Sequence, residues 1–198
     1  MKHNASNEHR QDGEEACPER SAAESNRPSQ PEQPPAEEAR DEASRPTKIW
    51  IDADACPVEV RDIVIRAAVR LKVPATFVAN KPLYVPESSY LSMVQVSLGP
   101  DVVDAYIVDH ATEFDLAVTQ DIPLAALLVA RKVSVISPRG DRYDASNISE
   151  ALAQRNLMEQ LRDQGAHLSG QRGFDEKLKR QFANQFDAEL NKLLRNTK

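Results

Sequence analysis

Cysteine is scarce. Cys17 and Cys56 are the only two in 198 residues, which is no disulfide framework and fits a reducing compartment. No apolar stretch follows Met1-Lys2-His3-Asn4-Ala5-Ser6, so no secretory leader is expected. The longest apolar run, Leu124 to Ala130, falls far short of the about 20 residues that a membrane-spanning helix needs. The expectation is a soluble, cytoplasmic protein without a membrane span. No His–Ser or His–Cys arrangement stands out, and no internal repeat is visible. The aromatic-rich basic surface used to read single strands is missing as well. No feature identifies a protein partner.

Large apolar residues are nearly absent before Ile49, and no aromatic residue precedes it. Residues 1–46 are rich in Glu, Ser, Pro, Gln, Ala and Arg, most clearly at Gln30-Pro31-Glu32-Gln33-Pro34-Pro35. Such a segment cannot bury enough apolar area to offset the entropy of ordering it. It is expected to be a disordered, acidic, proline-containing tail, with a domain boundary near Thr47 and one domain over 47–198. The formal net charge of −6 resides mostly in residues 1–47, which hold 11 acidic and 6 basic residues. The domain itself is close to neutral, so the acidic balance argues neither for nor against a nucleic-acid partner.

What is present is organised around Lys48-Ile49-Trp50-Ile51-Asp52-Ala53-Asp54-Ala55-Cys56-Pro57-Val58. An apolar strand runs into two aspartates, and Pro57 suits the first position of a helix. Val60, Ile63, Val64, Ala67 and Leu71 then recur at helical spacing. Further strands are expected at 75–79, 93–96, 114–119 and 133–136. Helices are expected at 101–110, 122–131, 147–164 (with Ser146 as N-cap) and 174–195. The last carries Leu178, Phe182, Phe186, Leu190 and Leu193 along one stripe. Strands alternating with helices indicate an α/β domain, a three-layer α/β/α sandwich with a mainly parallel sheet.

In such a sheet the strand C-termini share one edge, where ligands bind. That edge is expected to gather Asp52, Asp54, Thr119 and Asp121, with Asp104 reaching it from its helix and Asp115 in the same stretch as Thr119. All-oxygen ligands of this kind suit Mg²⁺ or Mn²⁺ rather than zinc, and such ions activate water and stabilise the leaving oxygen of a phosphodiester. Capping is the competing explanation. Asp54, Asp101 and Asp121 each precede a helix, and Asp is among the best N-caps; for Asp101 capping is preferred, whereas Asp52 lies too far before its helix. Cys56 reads as a small buried group. His110 and His167 read as surface or capping residues, and Arg61, Arg66 and Arg70 as a solvated face. Arg139, in a loop leaving a strand at the active edge, is the candidate phosphate contact.

Ile51-Asp52-Ala53-Asp54-Ala55-Cys56-Pro57-Val58 closely resembles the opening motif of the bacterial YaiI/YqxD family. The blocks at 104–108, 118–125, 137–140 and 175–186 resemble others of that family, and the likeness covers roughly residues 48–195. The family is similar in turn to PIN-like domains, metal-dependent nucleases with clustered acids. That resemblance implies a PIN-like fold and places Asp52, Asp104 and the Thr119/Asp121 pair on the nuclease positions, with Asp54 and Asp115 as additions. It departs from the pattern in its short third strand and in Ser137, where asparagine is expected. Three functions compete: a divalent-metal-dependent nuclease acting on RNA or DNA, a phosphatase of the haloacid-dehalogenase type, and a non-catalytic nucleic-acid-binding domain. Against the phosphatase, no Gly-Asp-x-x-x-Asp motif or well-placed lysine is found.

Overall fold

The computed structural model describes residues 46–99, 101–165 and 174–196. The expected tail, except for Pro46, and most of the connection expected at 165–173 lie outside the described residues. The elements in chain order are β1 (Ile49–Asp52), α1 (Val58–Leu71), β2 (Ala75–Ala79), β3 (Leu91–Gln95), α2 (Val102–His110), β4 (Leu116–Val118), α3 (Ile122–Ala130), β5 (Ser134–Ile136), β6 (Arg142–Tyr143), α4 (Ile148–Asp163) and α5 (Glu176–Asn196). The sheet runs β3-β2-β1-β4-β5-β6. All its pairings are parallel except that of β5 with β6.

The central strands are apolar throughout because both faces of the sheet are covered. Every residue of β1, β2 and β4 is buried. Alternation along the strand still decides which layer each side chain joins. Ile49, Ile51, Phe77, Leu116, Val118 and Ile136 pack with Val60 and Val64 of α1 and with Phe182, Phe186 and Leu190 of α5. Trp50, Val78, Ala117 and Val135 pack with Val103 and Ile107 of α2, Leu124 and Leu128 of α3, and Ile148 of α4. The three-layer α/β/α architecture follows. Among the described residues no helix is long and apolar enough to cross a membrane.

Several local expectations need correction. β6 gives no sequence signal: two residues, Arg142 and Tyr143, carry no apolar alternation, and they pair because the Ser137–Asp141 turn folds them back. Asn147 rather than Ser146 holds the N-cap position of α4, although its side chain makes no capping bond. Ser146 instead donates its backbone N–H to Asp144. Arg61 is not on a solvated face, since its Nε is buried.

α5 clamps the β5–β6 turn. Glu189 is buried on α5, and Arg142 of β6 reaches it at 3.4 Å while also pairing with Asp144 at 3.1 Å. Gly140 lies against the α5 backbone with φ +88°; a Cβ there would stand 2.9 Å from Gln181 C and Phe182 N. Both the dihedral and the space call for glycine. Gly140→Ala is therefore expected to cost about 2 kcal/mol through strain and overpacking, lowering the thermal midpoint by roughly 4–8 °C. Thermal melts followed by circular dichroism check this, and an unchanged midpoint would show that α5 does not press on the turn.

Candidate functional site at the β1–β4 edge

The site follows from the strand order. β1 and β4 are neighbours, yet the chain leaves β1 toward β2 on one side and β4 toward β5 on the other. Such a reversal opens a crevice beyond the strand C-termini, where ligands bind in open α/β sheets. Asp52 is the last residue of β1. Alternation turns it, like Trp50, toward the α2/α3 layer. α2 carries Asp104, and Asp121 stands at the N-cap of α3.

Hydrogen bonds tie these groups together. Thr119 Oγ1 donates to Asp52 Oδ2 at 3.0 Å and accepts the Asp121 N–H at 2.9 Å. Asp121 Oδ1 accepts the Leu124 N–H at 3.1 Å, so the capping role expected for Asp121 is real. That role occupies one carboxylate oxygen and leaves the charge in place. Asp54 does not cap α1. It is exposed, and its Oδ2 accepts the Asn80 N–H at 2.7 Å, anchoring the loop after β2. Asp101 holds the N-cap position of α2 in the left-handed conformation, φ 58°, and makes no side-chain capping bond; the preference for a capping Asp101 is overturned.

The electrostatics show that these acids converge. Burial raises the Asp52 pKa first of all; the Thr119 hydrogen bond opposes that, while the charges of Asp54 and Asp121 raise it further. Asp104 is pushed up to about 6 by desolvation, then by Asp121, Asp52 and Asp101. Among the described residues, the charges acting on Asp52 and Asp104 are all carboxylates. Among the described residues no lysine or arginine forms an ion pair with Asp52, Asp54, Asp104 or Asp121.

Two candidates lie apart from the acids. Asp115 precedes β4 and so belongs to the opposite, N-terminal edge. There Oδ1 accepts the Lys48 N–H at 2.9 Å, and Oδ2 accepts the Trp50 Nε1–H at 3.2 Å, the Thr112 N–H at 2.9 Å and the Thr112 hydroxyl at 3.0 Å. Asp115 staples β1 to the α2–β4 connection, and its expected supporting role is corrected. Arg139 does lie in the turn leaving β5 at the C-terminal edge, but its charge is not among those acting on Asp52 or Asp104. Ser137 shapes that turn, accepting the N–H groups of Arg139 and Asp141 and donating to Asp141 Oδ2 at 3.0 Å. Cys56 is buried as expected, and burial pushes its thiol up to about 12, far from a nucleophile's range. Asp101, preferred as a cap in the sequence, adds its charge to those acting on Asp104.

A raised carboxylate pKa means that folding disfavours the charged form. The corresponding stability is fully present below the unfolded value near 4 and is lost as pH rises through about 6 for Asp104. In chelator, Asp104→Asn is expected to raise the thermal midpoint at pH 7–8 and to have no effect near pH 4. Melting curves across that range read it directly; a variant less stable than wild type at pH 8 would show that the Asp104 charge is compensated.

The sequence matches the model of the family described as "Uncharacterized BCR, YaiI/YqxD family" over residues 50–192. It is 48% identical to a UPF0178 protein of Syntrophobacter fumaroxidans over 145 residues, 73% of this chain and 95% of the relative. It is 49% identical to one of Myxococcus xanthus over 148 residues, 75% of this chain and 97% of the relative. A third, from Psychromonas ingrahamii, is 48% identical over 149 residues, 75% and 99% of the two chains. No solved structure matches the chain. With its opening motif, its carboxylate edge and most of its final helix inside the matched span, the chain belongs to the YaiI/YqxD family.

Proposed function

We propose that this protein is a divalent-metal-dependent nuclease that hydrolyses phosphodiester bonds of RNA or DNA at the β1–β4 edge. The observation that carries the reading is that neighbouring carboxylate charges raise the pKa of Asp52 and Asp104, with no lysine or arginine paired to either among the described residues. Like charges gathered without compensation call for a cation from outside the chain.

The donor chemistry fits a hard cation, since Asp52, Asp54, Asp104 and Asp121 offer only oxygen. The geometry narrows the kind of site. Among the described residues no three His, Cys, Asp or Glu side chains stand close enough together to enclose an ion. That rules against a preformed all-protein cage. An ion there would be held by one or two carboxylates and completed by water and substrate phosphate, a mode open to Mg²⁺ or Mn²⁺. When bound, such an ion supplies water activation and stabilisation of the leaving oxygen.

The residues themselves have separable roles. The Thr119 hydroxyl fixes the orientation of the Asp52 carboxylate and, through the Asp121 N–H, the start of α3. Asp121 combines charge with helix capping. Asp104, with its pKa near 6, exchanges a proton within the range in which the reaction would run. Arg139, on the adjoining turn, is proposed to meet a neighbouring phosphate of the strand.

The decisive comparison uses labelled single-stranded RNA, single-stranded DNA and a phosphate monoester, each with Mn²⁺, Mg²⁺ or chelator. The nuclease reading requires ion-dependent cleavage of a polynucleotide. Release of phosphate from the monoester alone would favour the phosphatase, and chelator-insensitive binding without cleavage would favour a binding module. Asp121→Asn is the sharpest variant. Asparagine can still accept the Leu124 N–H, so the fold should hold, yet cleavage is expected to fall by orders of magnitude. Saturating Mn²⁺ should also stabilise the wild type by about 1–3 kcal/mol, and the variant by less. Wild-type cleavage by a folded Asp121→Asn protein would remove that residue from the site.

A further inference from the structure

The two edges of the sheet are built differently. β6 closes one edge with two residues, Arg142 and Tyr143, among the charges of Arg139, Asp141 and Asp144. Short strands and charges of this kind deter pairing with another chain. β3 closes the other edge with Leu91–Gln95 and has no such guard. From Ser88 to Gly99 the chain holds no charged residue and no proline. Among the described residues, the two large apolar side chains with the highest exposure are Tyr84 at 87% and Leu98 at 79%; they lie on the segments entering and leaving this strand.

The outer side of β3 also carries backbone groups without a partner. Tyr90 O accepts the Ala75 N–H at 2.8 Å, and Val96 donates its N–H to Ala79 O at 3.0 Å. A parallel ladder uses alternate residues of each strand, so Ser92 and Val94 face β2 as well. Met93 and Gln95 therefore direct their N–H and C=O groups away from the sheet, where neither meets another backbone group among the described residues. What completes such an edge is a further strand. The chain's own tail is a poor occupant. Residues 1–45 contain five prolines and no Val, Ile, Thr, Tyr, Phe or Trp, the types that favour strands. A second copy of β3 suits the edge better. Turned about a twofold axis at Met93, the two strands run antiparallel: Met93 meets its own counterpart, Gln95 meets Leu91, and Tyr90 meets Val96. Aromatic and β-branched residues facing each other in this way favour a sheet. With no charge in the segment, the symmetry opposes no like charges.

We infer that two copies of this protein pair edge to edge through β3, an isologous contact that joins their sheets into one. Strand direction reverses across the junction. The two acid edges therefore open on opposite sides of the joined sheet, and each site acts alone. The inference stands independently of the nuclease reading.

Sedimentation equilibrium of the full chain over a range of concentrations tests it. The wild type should pass from the 22.0 kDa monomer to twice that mass, and hydrogen exchange across β3 should slow over the same range. Gln95→Pro is the diagnostic variant. Gln95 is exposed and its N–H points outward, so proline removes no bond to β2 while blocking the junction. The dimer dissociation constant should rise about tenfold or more. Gln95→Ala keeps the backbone donor and should leave the constant unchanged. Gln95→Lys acts through charge instead of the backbone and should also weaken the dimer, which keeps the test open if proline disturbs the fold. A wild type that stays monomeric at every concentration would overturn the inference and leave a strand from a different protein as the occupant. A dimer that withstands Gln95→Lys and a folded Gln95→Pro would place the contact elsewhere and overturn it too.

Discussion

Parallel pairing of β1 with β4, Ile49 to Ile51 against Leu116 to Val118, joins segments about a third of the chain apart. Everything at the candidate site depends on it. The pairing sets the last residue of β1 beside the first residues after β4, which is why Thr119 can reach Asp52 across a sequence separation of 67 residues. It also divides the helices, because connections that leave the two strands in opposite directions must cover opposite faces. A one-residue slip between these strands would move Asp52 to the other layer, away from Asp104 and Asp121.

The carboxylates impose the opposite demand. Packing and strand pairing stabilise the domain, while the acids at its edge oppose it wherever they are ionised. The chain tolerates this by keeping them at an edge rather than in the core. Asp54 is exposed and Asp104 half-buried, so only Asp52 lies fully inside. Asp52 has in compensation the Thr119 hydroxyl and the Ala55 backbone as hydrogen-bond donors. Asp115 shows how an acid of this protein is treated when its role is structural. Its two oxygens are met by four donors and it lies beneath Trp50 and Lys48. The contrast between an acid met by four hydrogen-bond donors at one end of β4 and several like charges acting on one another at the other is the physical ground for reading the second as functional.

Much of this was legible in the sequence for identifiable reasons. β2 came out residue for residue because Pro74 and Asn80 bracket an uninterrupted apolar run. The stripe of α5 was equally plain, and Phe182, Phe186, Leu190 and Leu193 are all buried. β4 was drawn too long, from 114, since Phe114 and Asp115 look like strand residues while in fact the N–H of Asp115 closes a turn on Thr112. Even a strand beginning at 114 puts Asp115 near its N-terminal end; its place among the edge acids rested on the family resemblance and on nearness in sequence to Thr119, and strand direction overrules both. Arg61 was misjudged for a different reason. Helical periodicity reports which face of a helix is polar, and cannot report what a neighbouring loop, here Leu83 to Val85, lays against that face.

The clamp of α5 over Gly140 has a consequence for the order of assembly. α5 is the last element in chain order, yet it supplies Phe182, Phe186 and Leu190 to the layer beneath β1 and holds the turn that carries Arg139. During synthesis, the strands that form the edge emerge first, and the part of that face that α1 does not cover waits until about residue 190 is available. A nascent or truncated chain therefore leaves the β4 and β5 side of that face open, at Leu116, Val118 and Ile136, an apolar surface of the kind that promotes aggregation. Quality control of this protein would thus be exerted through its final helix, at a distance from the residues that perform its chemistry.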